Sequence, residues 1–295
     1  MTIFLQLVVT GVVVGMVYAL AALGFVLIYK ASRVINFAQG YFLALGAFGA
    51  LAIAQLTHLP FILAVIVSIA GGALLGLLVE RLLLRPMIGE PVIGVIMVTI
   101  GLAAVLRGGI LLAWGAGNFG FPQLLPEAPL ALGPLIVSPV HLGALGISLA
   151  FLAVFAFFFR NTTLGVAMRA VADDQQAAQS LGVSVRRIYA ASWAIAAGVA
   201  AVAGVVVGSL NGLNASALSF IGLKVFPAVI LGGLDSVPGA VIGGVTIGVL
   251  ENLAGGYLDP LVGGGTKEVA PFVALVLVLM LRPYGLFGTV EIERV

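Results

Sequence analysis

Residues 4–29 read FLQLVVTGVVVGMVYALAALGFVLIY, a run of 26 residues without one charged side chain. An α-helix rises 1.5 Å per residue, and about 20 apolar residues cross the hydrocarbon core of a bilayer, which is roughly 30 Å thick. The run is therefore predicted to be a membrane-spanning helix. It is longer than the apolar core of a signal peptide and no basic segment precedes it, so we expect it to be retained as a first span.

The rest of the chain has the same character. Of its 295 residues, 62% are hydrophobic and 8% are charged, whereas soluble domains carry about 25% charged residues. A transmembrane β-barrel would show segments of about 10 residues with alternating hydrophobicity, and the sequence has none. We predict an all-α fold, a polytopic transmembrane helical bundle with broken helices. The net charge of +2 indicates no nucleic-acid partner, because most basic residues lie at the ends of apolar runs.

The residue types that carry most protein chemistry are scarce. The chain has no cysteine, and its two histidines, His58 and His141, lie far apart in sequence. No spacing typical of a metal site and no pairing of a nucleophile with a base is present. We therefore predict no metal site and no catalytic residues, and an intramembrane enzyme is not indicated.

Hydropathy and charge together predict the topology. The candidate spans are residues 4–29, 36–56, 61–84, 92–113, 139–159, 188–209, 217–234, 239–255 and 269–287. With the amino terminus outside and the carboxyl terminus inside, ten of the thirteen lysines and arginines fall in the cytoplasm, as the positive-inside rule requires. This count needs a break at GGLDSVPGA (232–240), where Asp235, Ser236 and Pro238 favour a turn. Eight crossings with a re-entrant pair are the alternative.

Two further features concern packing and the outer side. GVVVG occurs at 11–15 and again at 204–208, and small residues four apart let helix backbones approach closely in lipid. The loop of residues 113–138 contains four prolines and one charge, Glu127. Because proline and glycine interrupt helices, we expect an ordered external loop, either a plain connector or a surface for an external partner.

The only long polar stretch covers residues 160–187. Residues 166–181 are predicted to form a single helix, bracketed by Gly165 and Gly182. A short alanine-rich helix is marginal alone, so we expect it to be held against a neighbour. A solvated connector is the alternative.

Here the sequence resembles a known family. QAAQSLG (176–182) resembles the coupling motif of ABC-importer permeases, with Gln176 in the place of a glutamate. GMVYALAALGFVLIYKASRVINFAQG (15–40), RAVADDQQAAQSLGV (169–183) and LGGLDSVPGAVIGGVTIGVLEN (231–252) resemble branched-chain amino acid permeases of the LivH type, in colinear order. Urea and short-chain amide permeases are closely similar.

The resemblance implies an inner-membrane permease subunit of a bacterial ATP-driven importer, made of a single transmembrane permease domain over residues 1–295. Its substrate would be branched-chain amino acids or a related small polar solute. The implied partners are a second homologous permease subunit, two cytoplasmic ATPase subunits, a periplasmic or extracellular solute-binding protein and membrane lipid. No Walker motif is present, so ATP is expected to be used by the partner subunits, with no cofactor on this chain. The predicted ATPase-coupling residues are Arg169, Asp173, Asp174, Gln176, Ala177, Ala178 and Gly182.

Polar breaks at the heads of two apolar runs predict the substrate path, since irregular backbone is tolerated in a membrane only beside protein or a cavity. These residues are Asn36, Gln39, Gly40, Asp235 and Ser236. For Asn36 the alternative is an N-cap of the second span.

Three ionisable residues, Arg107, Lys224 and Glu251, fall in or near predicted spans. Three interpretations are open. The residues have a function in transport, the side chains of Arg107 and Lys224 extend to the membrane interface, or Glu251 pairs with one of these two cations. A stand-alone secondary transporter or channel is the rival class, and these sparse charges argue against a coupling-ion site within one chain.

Overall fold

The computed structural model describes residues 2–122, 125–126, 128–133 and 135–288. Its long helices are α1 (Thr2–Ser32), α2 (Gln39–Thr57), α3 (Phe61–Val79), α4 (Val92–Trp114), α5 (Pro139–Asn161), α8 (Val185–Asn211), α9 (Ala215–Gly232), α10 (Val237–Tyr257) and α12 (Thr266–Leu281). The short helices are α6 (Thr163–Asp173), α7 (Gln175–Ser180) and α11 (Asp259–Val262). A π-helical turn (Glu80–Leu84) and a 3-10 turn (Arg85–Met87) continue α3. The strands are β1 (Asn118–Phe119), β2 (Leu130–Leu132), β3 (Leu135–Val137) and β4 (Leu213–Asn214).

Each of the nine predicted spans coincides with a helix, which confirms the fold class. Within the described residues, eight helices are long and apolar enough to cross a membrane. The last helix, α12, has 16 residues and is about 24 Å long at 1.5 Å per residue, short of a full hydrocarbon core. The predicted break is present, because α9 ends at Gly232 and α10 begins at Val237. Helix length does not show which ends of the helices face the cytoplasm, so the orientation stays a prediction. Arg294, one of the ten basic residues counted for it, lies outside the described residues.

The chain divides into two units. The first comprises residues 1–22, 125–149 and 223–295, and the second comprises residues 23–124 and 150–222. Several long helices contribute residues to both.

The second unit has its core between α2, α3 and α8. Helix α8 is rich in alanine and glycine, and its residues from Ala196 to Gly208 are all buried. A Cβ placed on Gly76 would meet the carbonyl of Trp193, and one on Gly204 would meet the carbonyl of Leu43. Small residues at these points let the helix backbones touch, which maximises dispersion contacts where lipid offers no hydrophobic driving force.

In the first unit, glycines likewise let the backbones of α1 and α10 pack in contact. A Cβ on Gly11 would lie 2.7 Å from the Cα of Val249, and one on Gly15 would lie 2.6 Å from the Cα of Val245. The predicted packing role of the GVVVG segments is therefore confirmed at 11–15 and, in the second unit, at Gly204.

The predicted external loop contains ordered structure. Strands β2 and β3 form an antiparallel hairpin with Leu130 opposite Val137. The side chain of Gln6 on α1 extends this pairing: its amide donates to the carbonyl of Ile136 at 2.6 Å and accepts from the same residue's N–H at 3.1 Å. Glu127 lies outside the described residues.

Candidate functional site

The predicted coupling segment is two helices rather than one. The single helix expected over residues 166–181 is wrong: α6 ends at Asp173 and α7 begins at Gln175. Asp174 between them has extended backbone, with φ −151°, and its carboxylate accepts from the N–H groups of Gln176 and Ala177, both at 2.9 Å. An aspartate that caps the following turn competes with continuation of the preceding helix.

The two glycines that were expected to bracket the segment behave differently. Gly165 does not precede the helix but lies in the first turn of α6, where Thr162 is the N-cap and accepts from its N–H at 3.0 Å. Gly182 has φ +86° and ends α7 as predicted. Its N–H donates to the carbonyl of Gln179 at 2.9 Å, and the N–H of Val183 donates to the carbonyl of Ala178 at 3.0 Å. These two hydrogen bonds form a Schellman motif.

Burial divides the predicted coupling residues into two groups. Ala178 is only 2% exposed, alongside the buried Met168 and Val171 of α6. Ala178 therefore anchors α7 within its own unit, and its predicted role in coupling to an ATPase stays a prediction. The other side of the segment is exposed, and its exposed residues are Asp173, Asp174, Gln176, Ala177, Gln179, Ser180 and Leu181.

Arg169 also has internal partners. Its guanidinium donates to the carbonyl of Phe159 at the end of α5 and lies 5.7 Å from the centroid of the Phe159 ring. These contacts tie α6 to the preceding span. The role of Arg169 in contacting an ATPase stays a prediction, and its visible role is to hold the segment in place.

Asn36 and Gln39 belong to a closed polar network at the start of α2. Asn36 is 0% exposed and Gln39 is 2% exposed. The Asn36 carboxamide donates to the Gln39 side chain at 3.0 Å and accepts from the N–H of Ala38 at 3.0 Å. Gln39 in turn donates to the carbonyl of Ala196 on α8 at 3.3 Å. Each amide thus replaces its hydration with protein partners, as burial requires.

This network changes the interpretation of the stretch. The N-cap of α2 is Ala38, so Asn36 is not the cap; its carboxamide instead bonds forward to the N–H of Ala38 and to the side chain of Gln39, across the turn that precedes the helix. Gly40 lets α2 meet α9, since a Cβ there would lie 2.6 Å from the carbonyl of Ser219. The substrate-path role of Asn36, Gln39 and Gly40 stays a prediction, and it would require this network to open.

The second predicted path segment is the turn between α9 and α10. Ser236 is the N-cap of α10 and accepts from the N–H of Gly239 at 3.0 Å. The N–H of Leu286 donates to the carbonyl of Leu231 at 2.8 Å, so the chain after α12 closes against this turn. Asp235 lies partly exposed in the turn. The path role of Asp235 and Ser236 also stays a prediction, while Ser236 has a structural task.

A buried ion pair joins α9 and α10 in the first unit. Lys224 lies 3.0 Å from one carboxylate oxygen of Glu251, and the hydroxyl of Tyr18 on α1 donates to the other oxygen at 2.7 Å. Glu251 is 1% exposed on its side chain and Lys224 is 13% exposed. The expected pairing of Glu251 with a nearby cation is confirmed, and the cation is Lys224. Arg107 is exposed on α4.

Comparison with known proteins identifies the family. A family model described as the permease component of a branched-chain amino acid transport system matches residues 7–281. The chain belongs to this permease family. It is 32% identical to the high-affinity branched-chain amino acid transport permease BraD of Pseudomonas aeruginosa, over 99% of this chain and 98% of BraD. It is 33% identical to the corresponding protein LivH of Escherichia coli K12, with the same coverage. A probable LivH of Methanocaldococcus jannaschii is 29% identical over 91% of this chain and 88% of that protein.

Sequence reasoning about this permease missed several residues of its sites. Tyr18 lies in an apolar run without any polar neighbour that would mark it, and Thr162 looked like part of a loop. Glu80, which was not singled out from the sequence, is 1% exposed. The available signal was the run of three leucines between charged residues in ERLLLR (80–85).

Proposed function

We propose that this permease is the membrane-spanning subunit of an ATP-driven importer that moves branched-chain amino acids, or a related small polar solute, into the cell. It would act with a second similar permease, two cytoplasmic ATPase subunits and a solute-binding protein on the outside. ATP would be bound and hydrolysed by the ATPase subunits. The names of the relatives and the eight long apolar helices support this proposal.

The observation that carries it is the exposed side of α7. Leu181 follows α7 and is 84% exposed, next to the exposed Ala177 and Gln176. An apolar side chain presented on a short polar helix fits a contact with another protein, where it would be removed from water. The Asp174 cap, the Gly182 turn and the buried Ala178 hold this surface in one orientation, so a push on α7 would reach α8.

The test compares two neighbouring alanines. Ala177→Glu places a charge on the exposed side and is expected to abolish solute-stimulated ATP hydrolysis and uptake, while the isolated permease keeps its parent melting temperature. Ala178→Glu buries a charge at a site that is 2% exposed and is expected to destabilise the permease itself by several kcal/mol. Gln179→Glu is the control, because it adds the same charge at another exposed position of α7.

The measurement uses the complete assembly in lipid vesicles and records subunit stoichiometry, ATPase rate and uptake. Full solute-stimulated ATPase activity in both Ala177→Glu and Leu181→Asp would reject α7 as the coupling contact. A permease that takes up solute without any ATPase subunit would support the rival class of stand-alone transporters.

The solute class is decided separately. Radiolabelled leucine uptake should be inhibited by valine and isoleucine and unaffected by urea or acetamide. The opposite pattern would assign the permease to urea or short-chain amides.

A further inference from the structure

A cavity of about 290 Å³ lies in the second unit, where the end of α1, the turns after α3, the start of α4, α7 and α8 come together. Its volume is near the lower end of ligand pockets, which begin at roughly 300 Å³. Such a space suits a small molecule. None of the predicted substrate-path residues lines it.

A buried glutamate is among the residues that line the cavity. Glu80 is 1% exposed and opens the π-helical turn that follows α3, an irregularity that occurs often at functional sites. Arg85 forms a bidentate pair with it, at 2.9 and 3.2 Å. Each carboxylate oxygen keeps a second lone pair, so Glu80 can accept further hydrogen bonds while paired.

The other charged residue in the described lining is also acidic. Glu90 contributes a second carboxylate from the exposed turn before α4. Among the lining residues that the structure describes there is no lysine, arginine or histidine. The cavity therefore favours a cation over an anion, and the partly neutralised Glu80 favours a single positive charge.

Aromatic and aliphatic groups complete the wall. Tyr189 and Trp193 of α8 line the cavity together with Val34, Leu84 and Val95. Aromatic rings attract ammonium groups through their negative faces, and the aliphatic side chains favour an apolar body. Gln175 lies at the rim of the same space as the first residue of α7.

We propose that this cavity binds a small primary ammonium compound with a branched apolar body. Glu80 and Glu90 accept the N–H groups of the ammonium, Tyr189 and Trp193 flank it, and the aliphatic residues contact the apolar part.

The identity of the cellular ligand rests on the proposed function. If the permease imports branched-chain amino acids, the product carries this ammonium and this apolar body, together with a carboxylate that has no cationic partner among the described lining residues and makes its binding weaker than that of the amine. The hydroxyl of Tyr189 donates to the side chain of Gln175 at 3.4 Å, so a ligand between α4 and α8 would contact the residue that begins α7. An occupied cavity would then restrain α7, and accumulated product would slow further import.

Binding can be measured on the full-length permease in lipid nanodiscs. The chain has two tryptophans, Trp114 and the cavity residue Trp193, so Trp114→Phe leaves Trp193 as the fluorescent reporter. The probes are 3-methylbutylamine, L-leucine and isovalerate. We expect a saturable change in fluorescence with 3-methylbutylamine, a response at higher concentration with L-leucine, whose carboxylate finds no cation among the described lining residues, and none with isovalerate, which has the apolar body without the ammonium.

Matched variants then test the site. Val95→Phe fills the cavity and should abolish the response, whereas Val105→Phe, the same change at a position of α4 that is 69% exposed and does not line the cavity, should leave it intact. Glu80→Gln should weaken the apparent affinity for 3-methylbutylamine by at least about tenfold, because a charge-assisted hydrogen bond is lost. Equal responses to amine and acid, or an unchanged response in Val95→Phe, would overturn the proposal.

Inhibition of import by accumulated product is tested with the complete assembly in lipid vesicles. The lumen of these vesicles corresponds to the cytoplasm. Preloading the lumen with leucine should slow uptake at least about twofold in the parent and in Val105→Phe, and not in Val95→Phe. If the nanodisc response is present and preloading has no effect, product inhibition is rejected while the binding site stands. If neither the parent nor a variant takes up leucine, the branched-chain amino acid part of the proposed function fails, and the fluorescence titration still decides whether the cavity binds the amine.

Discussion

Replacing Lys224 by methionine should destabilise the permease strongly. The ammonium of Lys224 is 3.0 Å from the carboxylate of Glu251, which is 1% exposed and lies on a helix long enough to span the membrane. Methionine keeps most of the volume and removes the charge. Among the described residues, Glu251 then retains the hydrogen bond from Tyr18 alone.

The magnitude follows from the burial of Glu251. Breaking a buried ion pair by removing one partner costs about 3–5 kcal/mol, because the remaining charge is left uncompensated. Tyr18→Phe removes one hydrogen bond to a charged group and should cost less, about 1.5–3 kcal/mol. The double variant Lys224→Met/Glu251→Gln removes both charges and leaves an amide oxygen that can still accept from Tyr18. It should therefore be more stable than Lys224→Met by about 2 kcal/mol.

The assay is reversible unfolding of the purified full-length permease in mixed micelles, followed by circular dichroism. Lys267→Met is the matched control, because Lys267 is exposed in the same unit, and it should change the free energy of unfolding by less than about 0.5 kcal/mol.

Two results would refute the reasoning. A loss below about 1 kcal/mol in Lys224→Met would mean that Glu251 does not depend on this ammonium. A double variant as unstable as the single variant would mean that the lysine acts through packing and not through charge. If the double variant is stable but inactive in uptake, the pair has a transport role as well.

Two further predictions concern the polar network at the start of α2 and the topology. Asn36→Leu should destabilise the permease by about 1–3 kcal/mol, because Gln39 and the N–H of Ala38 lose a buried partner; a normal melting temperature with reduced uptake would instead restore the substrate-path interpretation. Because the chain has no cysteine, single cysteines can report sidedness: in intact cells a membrane-impermeant maleimide should label Gly120→Cys and leave Asp173→Cys unlabelled. Labelling of the cysteine at 173 from outside would reverse the orientation.

Features that depend on neighbouring residues were predictable. Long apolar runs identified the helices to within a few residues, because the cost of burying unpaired backbone groups in lipid leaves the helix as the only structure for such a run. Asp235, Ser236 and Pro238 marked the break between α9 and α10, since turn formation is local. Gly182 marked the end of α7 for the same reason.

Features that depend on which side of a helix faces a neighbour could not be predicted from the sequence. Ala177 and Ala178 are chemically identical, and only the packing of α7 in its unit buries the second and exposes the first. Asp174 was read as a helix residue, because the sequence does not reveal whether its carboxylate will point into solvent or back to the next turn.

The sequence by itself determined that this protein is a helical membrane protein of the permease family, roughly where its long helices lie, and that glycines would bring their backbones together. Only the tertiary structure decided that Glu251 pairs with Lys224, 27 residues away, and with Tyr18, 233 residues away, and that five separate segments enclose a cavity beside Glu80. The physical reason is that lipid selects helices from hydropathy, a property of local composition. The partners of a buried charge depend instead on helix packing, which brings together residues that no local pattern connects.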